Sequence, residues 1–164
     1  MSISNNFPNL LSITKEKIKL SKLRCVVNFN YHKGGGVLIK KLLPVHKTPV
    51  YKYLNGDRDV YKNYHHYNYY GVTNEKRINN VVNSVKENGY PYKEQYVILS
   101  NGQNIVRDGQ HRVAALFSLY GGEFEIEVLR FKFKGRSHFV RVFPQNLVRI
   151  LKWILRNVYF IAKK

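Results

Sequence analysis

The stretch Val106-Arg-Asp-Gly-Gln-His-Arg-Val-Ala-Ala-Leu-Phe117 decides how the rest of the chain is arranged. It reads as the end of a β-strand, a glycine turn and the first turns of an α-helix. The run Tyr96–Leu99 and the pair Ile105–Val106 are β-branched and aromatic, and the turn sequence 100–104 between them predicts a β-hairpin. Apolar residues then recur at helical spacing until Gly121, which ends the predicted helix.

The turn inside this stretch carries the residue types of an anion-binding site. Asp108 can act as N-cap or turn residue, and Gly109 lets a ligand approach the backbone closely. His111 and Arg112 fall in the first helical turn, where free N–H groups and the helix dipole favour an anion. The guanidinium of Arg112 can bind a phosphate through two hydrogen bonds. The same spacing also fits a capped helix on which His111 and Arg112 are merely solvated.

The segment Asp108-Gly-Gln-His-Arg-Val-Ala-Ala115 resembles the phosphate-binding motif of the ParB/sulfiredoxin superfamily, in which Gly-x-x-Arg opens a helix after a strand. The preceding Val81–Pro91 is similar to the helix and turn upstream of that motif, and Glu125–Arg130 resembles the strand after it. The resemblance covers residues 75 to 131. It implies an α+β fold, with a small mixed sheet flanked by helices. It also implies that a nucleotide is bound through four motif residues, Gly109, Gln110, His111 and Arg112.

Departures from the family narrow what the resemblance implies. Sulfiredoxins have their catalytic cysteine immediately before the His-Arg pair, where this chain has Gln110, so reduction of a sulfinic acid is not expected. ParB proteins usually have an acidic residue and a further arginine where this chain has Gln110 and His111. A preference for CTP is therefore not implied, and ATP, ADP and CTP stay open. No helix-turn-helix pattern follows the motif, so the resemblance implies the nucleotide-binding fold rather than chromosome partitioning.

Phosphoryl transfer is within the range that the resemblance implies, since related members include an ADP-dependent kinase of free serine. Such chemistry needs a carboxylate to deprotonate an acceptor or to hold Mg²⁺. Carboxylates are scarce here, with 10 Asp and Glu against 28 Lys and Arg. Candidates are Asp108 in the motif, Asp57, and Glu75 near a predicted helix start, and the sequence does not rank them. Arg77, in the same helix start, could also meet a phosphate.

Tyrosines crowd the segment 49–71 around Gly56–Asp59 and His65–His66, namely Tyr51, Tyr53, Tyr61, Tyr64, Tyr67, Tyr69 and Tyr70. Aromatic side chains interleaved with cationic ones can stack on bases or sugars, so this is a candidate substrate-facing insertion. Half-buried packing explains most of these tyrosines equally simply. Adjacent histidines point in different directions, and no further ligands accompany them at metal-site spacing, so no protein-bound metal is predicted. The segment also resembles ParB-like proteins that accompany glycosyltransferases in bacterial surface polysaccharide synthesis, which implies a sugar or polyol acceptor.

Two further patterns concern the elements around the motif. Thr73–Lys76 resembles a helix start, and the helix should run to Gly89. The stretch 123–134 alternates like a strand, but its apolar residues change from one face of the strand to the other at Val128–Leu129. Either a β-bulge lies there or the second half changes its packing partner. The apolar residues of segment 10–23 fit neither the strand period nor the helix period throughout, so its secondary structure is left open.

The C-terminal segment 144–164 predicts a basic amphipathic helix. Its apolar residues share one helical face and its charges lie opposite them, namely Leu147, Val148, Leu151, Ile154, Leu155, Val158 and Ile161 against Arg149, Lys152, Arg156 and Lys163. The interrupting charges make it too polar to span a bilayer. Residues 146–164 fit either a helix on an anionic membrane surface or a terminal helix docked on the domain or a second subunit.

Length and composition bound the remaining possibilities. The 164 residues suit one folded domain, and 44% hydrophobic content argues against disorder. A formal net charge of +18 predicts an anionic partner: nucleotide, lipid, acidic glycan or nucleic acid. DNA is less favoured because the basic residues are spread along the chain without a recognition module. We divide the chain into a basic segment 1–48 that completes the sheet, a ParB-like core 49–143 and the helix 144–164.

Cellular location follows from two simple features. Cys25 is the lone cysteine, which excludes an internal disulfide. Residues 1–8 lack the basic and apolar regions of a signal peptide. We therefore expect a cytoplasmic protein, with peripheral association at the inner face of the membrane through the C-terminal segment.

Overall fold

A computed structural model describes residues 10–30, 38–62, 72–100 and 102–134, together with 147 and 151. Strands in this part of the chain are β1 (Leu10–Lys19), β2 (Arg24–Asn30), β3 (Leu38–Pro44), β4 (Val97–Ser100), β5 (Gln103–Asp108) and β6 (Glu125–Phe133). The α-helices in the described ranges are α1 (Pro49–Leu54), α2 (Asp59–Lys62), α3 (Asn74–Asn88) and α4 (Gln110–Tyr120). Short 3-10 turns cover Leu20–Lys22 and Val45–Lys47. The protein is therefore of mixed α+β class.

All six strands belong to one mixed sheet in the order β1-β6-β4-β5-β2-β3. The pairs β1/β6, β4/β5 and β2/β3 are antiparallel, whereas β4/β6 and β2/β5 are parallel. The parallel pair β2/β5 places β2 beside the strand that leads into the motif helix. Contact between β2 and the motif therefore follows from the topology.

The predicted hairpin and both predicted helices are confirmed. Strands β4 and β5 form the hairpin, and α4 begins one residue after β5 and ends before Gly121. Helix α3 begins after Thr73, whose hydroxyl accepts a hydrogen bond from the Lys76 amide at 3.2 Å, and it ends at Gly89. The alternative of Asp108 as N-cap of α4 is wrong. Asp108 is the last residue of β5, and Gly109 takes the cap position in a left-handed conformation with no side-chain cap.

One hydrophobic core joins the sheet to the helices. Helices α3 and α4 pack against each other, and α1 packs against α4. Side chains with essentially no exposure come from every layer, and they include Leu23, Ile78, Val97, Leu99, Val106, Val113, Leu116 and Val128. Burying a side chain of this size contributes about 1.5–3 kcal/mol. The core therefore fixes α4 and the turn before it against β4 and β5.

Strand β6 corrects the expectation of a bulge near Val128–Leu129. Its register against β1 is unbroken there, with Glu16 opposite Val128 and Lys15 opposite Leu129. The inward positions are Ile126, Val128 and then Arg130, which is only 7% exposed. The strand is thus regular. The apolar pattern changes face because Arg130, a polar residue, occupies the inward position that follows Val128.

The tyrosine-rich segment is described only in part. Tyr51 packs edge-on against Phe117, with ring centroids 5.3 Å apart, and Tyr53 packs against the core. The packing interpretation therefore holds for these two residues. Positions 63–71, with the tyrosines from Tyr64 onward and both adjacent histidines, lie outside the described residues, as does the side chain of Tyr61.

The predicted C-terminal helix lies outside the described residues except at two positions. Leu147 and Leu151 are both helical, and each is 50% exposed. Among the helices of the described part, none is both long and apolar enough to cross a membrane.

Candidate functional site

A pocket of about 200 Å³ opens where β5 leads into α4. We call it the motif pocket. Six consecutive residues, from Arg107 to Arg112, line it together with Arg77 and Val81 of α3. All of the predicted cofactor-binding residues border it, namely Arg77, Gly109, Gln110, His111 and Arg112. The topology thus brings Arg77 to the motif across more than 30 residues of chain.

Gly109 is required at its position for two reasons. Its φ angle of +89° lies in the left-handed region, which favours glycine. A Cβ atom built there would lie 3.2 Å from Cγ2 and 3.3 Å from Cα of Val97. The backbone of the turn therefore lies directly against β4 and beside the Arg112 guanidinium, whose Nη1 would be 3.4 Å from the same Cβ atom.

The pocket is rich in positive charge. Arg77, Arg107 and Arg112 border it, whereas Asp108 is its one acidic residue within the described ranges. Within the described residues, neither Arg107 nor Arg112 forms an ion pair. The first amide groups of a helix also carry partial positive charge, and no side chain caps α4. The arrangement thus favours an anion.

Arg112 is held in place by neutral acceptors. Its Nη1 donates to the Tyr96 carbonyl at 3.1 Å, and its Nη2 donates to Oε1 of Gln95 at 3.0 Å. A guanidinium has five N–H donors, so further donors remain for a ligand. The side chain is oriented while its charge is not cancelled.

Gln110 and His111 are structural as well as pocket-lining residues. The Gln110 Nε2 donates to the Val26 carbonyl at 3.2 Å, which ties the start of α4 to β2. His111 is only 7% exposed, so the interpretation of a solvated histidine is wrong. Both nevertheless border the motif pocket.

The structure separates the three candidate carboxylates. Asp108 is exposed and lines the motif pocket. The Asp57 Oδ1 accepts from the Val60 amide at 3.4 Å, which makes it a capping residue between α1 and α2. Glu75 is exposed in the first turn of α3. Neither Asp57 nor Glu75 lines the motif pocket or the hollow beside it.

A second hollow of about 150 Å³ adjoins the first, and we call it the side pocket. It shares Val81 and Arg112 with the motif pocket. Its remaining lining comes from one face of α3 and from the turn before β4, namely Asn80, Ser84, Val85, Gly89, Tyr90, Tyr92 and Gln95. The sequence does not indicate this hollow, because Asn80 and Ser84 resemble the solvated face of any amphipathic helix.

Tyr90 fixes the turn that closes the side pocket. Its hydroxyl donates to the Glu127 carbonyl at 2.6 Å and accepts from the Val97 amide at 2.9 Å. Burial raises the pKa of Tyr90 above its ordinary value, so the hydroxyl stays protonated and keeps both bonds at neutral pH. The turn is thereby attached to both β6 and β4.

Comparisons with known proteins add no relative to this site. The chain matches no family model, no curated protein and no solved structure. The ParB/sulfiredoxin resemblance therefore stays an inference from the motif residues.

Proposed function

We propose that this chain binds a nucleoside polyphosphate in the motif pocket and transfers or hydrolyses its terminal phosphoryl group. ATP, ADP and CTP are the candidate nucleotides. One observation carries the proposal: three arginines and the uncapped start of α4 converge on one small pocket. Polyphosphate is the ligand class whose charge and oxygen geometry match such a set of donors.

Electrostatics support phosphate over a neutral ligand. Hydrogen bonds between a guanidinium and an anionic oxygen contribute about 1.5–3 kcal/mol each. Arg112 and Arg107 have no carboxylate partner in the described part of the chain, so a ligand would not have to displace one. Among the described residues no side-chain hydrogen bond caps α4, so its first amides have no such partner for a ligand to displace.

The side pocket supports a nucleoside rather than free phosphate. It continues from the motif pocket across Arg112 and offers the amide group of Asn80 and the hydroxyl group of Ser84. Tyr92 is 38% exposed at its rim, where an aromatic ring can contact a base or ribose. Phosphates near Arg77 and a nucleoside along α3 would fill both hollows.

The reaction rests on Asp108. It is the one carboxylate that lines the motif pocket among the described residues, so it is the candidate to deprotonate an acceptor hydroxyl or to help hold Mg²⁺. Mg²⁺ is usually bound by one or two carboxylates plus substrate phosphates, and this donor set fits that pattern. The described residues contain no group of three or more His, Cys, Asp or Glu side chains that could hold a metal alone. A sugar or polyol is the proposed acceptor.

A nucleotide sensor without chemistry is the second candidate. The observation that favours it is the shortage of acidic groups at the pocket, since Glu75 and Asp57 lie elsewhere. Steady-state phosphate release and transfer to sugars or polyols separate the two candidates. An enzyme loses turnover but keeps nucleotide affinity when Asp108 becomes Asn, whereas a sensor shows no turnover to lose.

Nucleotide binding itself is tested by calorimetry with ATP, ADP, CTP and GTP. We expect saturable binding that weakens at least tenfold in Arg112→Ala, which corresponds to about 1.4 kcal/mol. Arg24→Ala is the matched control, because Arg24 is exposed on β2 and lines neither pocket. Equal affinity of both variants, or no binding of any nucleotide to the native chain, would refute the proposal.

We also propose that residues 146–164 attach the protein to an anionic membrane at its cytoplasmic face. Leu147 and Leu151 lie four residues apart, hence on the same helical face, and each is half exposed. Flotation with anionic liposomes tests this. The full chain should float and a chain ending at 145 should not, whereas equal flotation of both would place the membrane contact elsewhere or exclude it.

A further inference from the structure

The turn between α3 and β4 supplies both of the acceptors that hold Arg112. They are the Tyr96 carbonyl and the side-chain oxygen of Gln95, and both are neutral. A carboxylate would orient a guanidinium just as well, but it would also cancel its charge. Because both acceptors are neutral, they orient the Arg112 guanidinium and leave its positive charge uncancelled.

The same turn is anchored independently of Arg112. The Tyr90 hydroxyl joins it to β6 and β4, and the Tyr96 hydroxyl accepts from Lys15 Nζ of β1 at 2.8 Å. Lys93 and Glu94 have φ angles of +47° and +57°, in the left-handed region. Such a conformation persists in non-glycine residues only where surrounding contacts hold it. The acceptors for Arg112 thus occupy fixed positions.

We infer that Gln95 is a positioning residue for anion binding, and this inference rests on the proposed function. Gln95 orients the Arg112 guanidinium between the two pockets and, being neutral, leaves its charge available to a polyphosphate. Arg112 lines both hollows, whereas Gln95 lines only the side pocket. Position 95 thereby sets the strength of the site through Arg112 rather than through a contact of its own with the phosphates.

The decisive variant is Gln95→Glu. It keeps the acceptor oxygen and the shape of the side chain but gives Arg112 a carboxylate partner. Gln95 is exposed, and a surface ion pair changes stability little, so we expect an unchanged melting temperature. Affinity for tripolyphosphate and for ADP should fall roughly tenfold to a hundredfold, because part of the positive charge is cancelled. Gln95→Ala should weaken binding only about threefold to tenfold, since one hydrogen bond is lost.

Two controls separate this effect from simple charge repulsion. Asn83→Asp adds the same negative charge on an exposed position of α3 that lines neither pocket, and it should bind within about twofold of the native chain. In the Arg112→Ala background, Gln95→Ala should have no further effect on affinity, because the two residues act as a unit.

The outcomes are distinguishable from a failure of the proposed function. If the native chain binds neither tripolyphosphate nor ADP, the proposed function is wrong and the positioning role falls with it. If the native chain binds both, but Gln95→Glu binds equally well or Gln95→Ala weakens binding equally with and without Arg112, then only the role of Gln95 is wrong. Reduced affinity with an unchanged melting temperature, abolished by Arg112→Ala, supports it.

Discussion

At the scale of single residues, Gly109 determines the geometry of the pocket. We predict that Gly109→Ala lowers the free energy of unfolding by about 2–3 kcal/mol. The left-handed conformation costs an L-residue about 1–2 kcal/mol, and the new methyl group would overlap with Val97. Urea denaturation measures the change.

Gly102→Ala is a matched control for this prediction. Gly102 has a similar φ angle of +70°, but nothing lies within 4 Å of an added Cβ atom. Gly102→Ala should therefore lower the free energy of unfolding by only about 1–2 kcal/mol, the conformational part alone. Equal losses in the two variants would show that the approach of Gly109 to β4 has no energetic importance.

Cys25 provides a prediction about pH. Burial raises the pKa of its thiol to about 12 from an ordinary value of 9.0, and its side chain is 1% exposed. The neutral thiol is favoured in the fold, so this contribution to stability is complete below pH 9 and is lost as the pH rises towards 12. At neutral pH, a thiol reagent should label the folded protein at the rate of unfolding and the denatured chain at once. Rapid labelling of the folded protein would contradict the buried position.

The motif residues were predicted as a site because their chemistry is local. The proposed roles of Gly109, His111 and Arg112 depend on a turn and a helix start, which neighbouring residues specify. The bond from Gln110 to Val26 could not be predicted, since it depends on β2 lying beside β5. Exposure of His111 likewise depends on packing between elements, so the sequence left it open and the structure shows it buried.

At the scale of elements, Arg130 of β6 forms the main buried polar group of the sheet. Its Nε donates to Glu16 Oε1 at 2.9 Å, Nη1 donates to the Gln103 carbonyl at 2.7 Å, and Nη2 donates to Asn104 Oδ1 at 3.0 Å. The Nη2 of Arg130 also forms an ion pair with Oε1 of Glu16. These bonds join β6 to β1 and β5.

We predict that Arg130→Leu lowers the free energy of unfolding by about 2–4 kcal/mol. The change leaves acceptors on Glu16, Gln103 and Asn104 without their donor in a low-dielectric environment. We expect a loss nearer the lower end of this range, because the Glu16 side chain is 35% exposed and water can partly solvate its carboxylate. Lys132→Leu in the same strand is the control and should change stability by at most about 0.5 kcal/mol, because Lys132 is exposed. If Arg130→Leu lowered the free energy of unfolding no more than Lys132→Leu does, the buried network would not be stabilising.

The sequence predicted those elements whose signals are short-range. The hairpin turn, the Thr73 cap and the glycines that end α3 and α4 are all local signals, and each is confirmed. Strand β1 gave no clear period because an edge strand with half-exposed faces lacks a strict alternation. The parity of β6 was misjudged because the partner of Arg130 is Glu16, 114 residues away.

At the scale of the whole molecule, the net charge of +18 favours non-specific binding of polyanions. We predict that duplex DNA binds at low ionic strength without sequence preference. Its affinity should fall steeply from roughly 50 to 200 mM salt, since many phosphate contacts release counterions. Arg112→Ala should leave it almost unchanged, because it removes one of 28 basic side chains. Fluorescence anisotropy measures both effects. Sequence-specific binding that survives high salt, or that is lost with Arg112, would favour a DNA-binding function instead.

The α+β class was an expectation from the ParB/sulfiredoxin resemblance, whereas the strand order was not predicted. Both parallel pairs, β4/β6 and β2/β5, join strands that are distant in the chain, and no local signal specifies them. The same topology creates the motif pocket, since α3 must lie beside α4 for Arg77 to reach it.

A crystal of the protein soaked with a non-hydrolysable ATP analogue and Mg²⁺ tests the central claim most directly. Our account predicts phosphate density against the amides that follow Gly109, within hydrogen-bond distance of Arg112. It also predicts the nucleoside in the side pocket along α3. Density for the analogue at any other surface, or an unchanged structure with both pockets free of it at saturating concentration, would contradict the account.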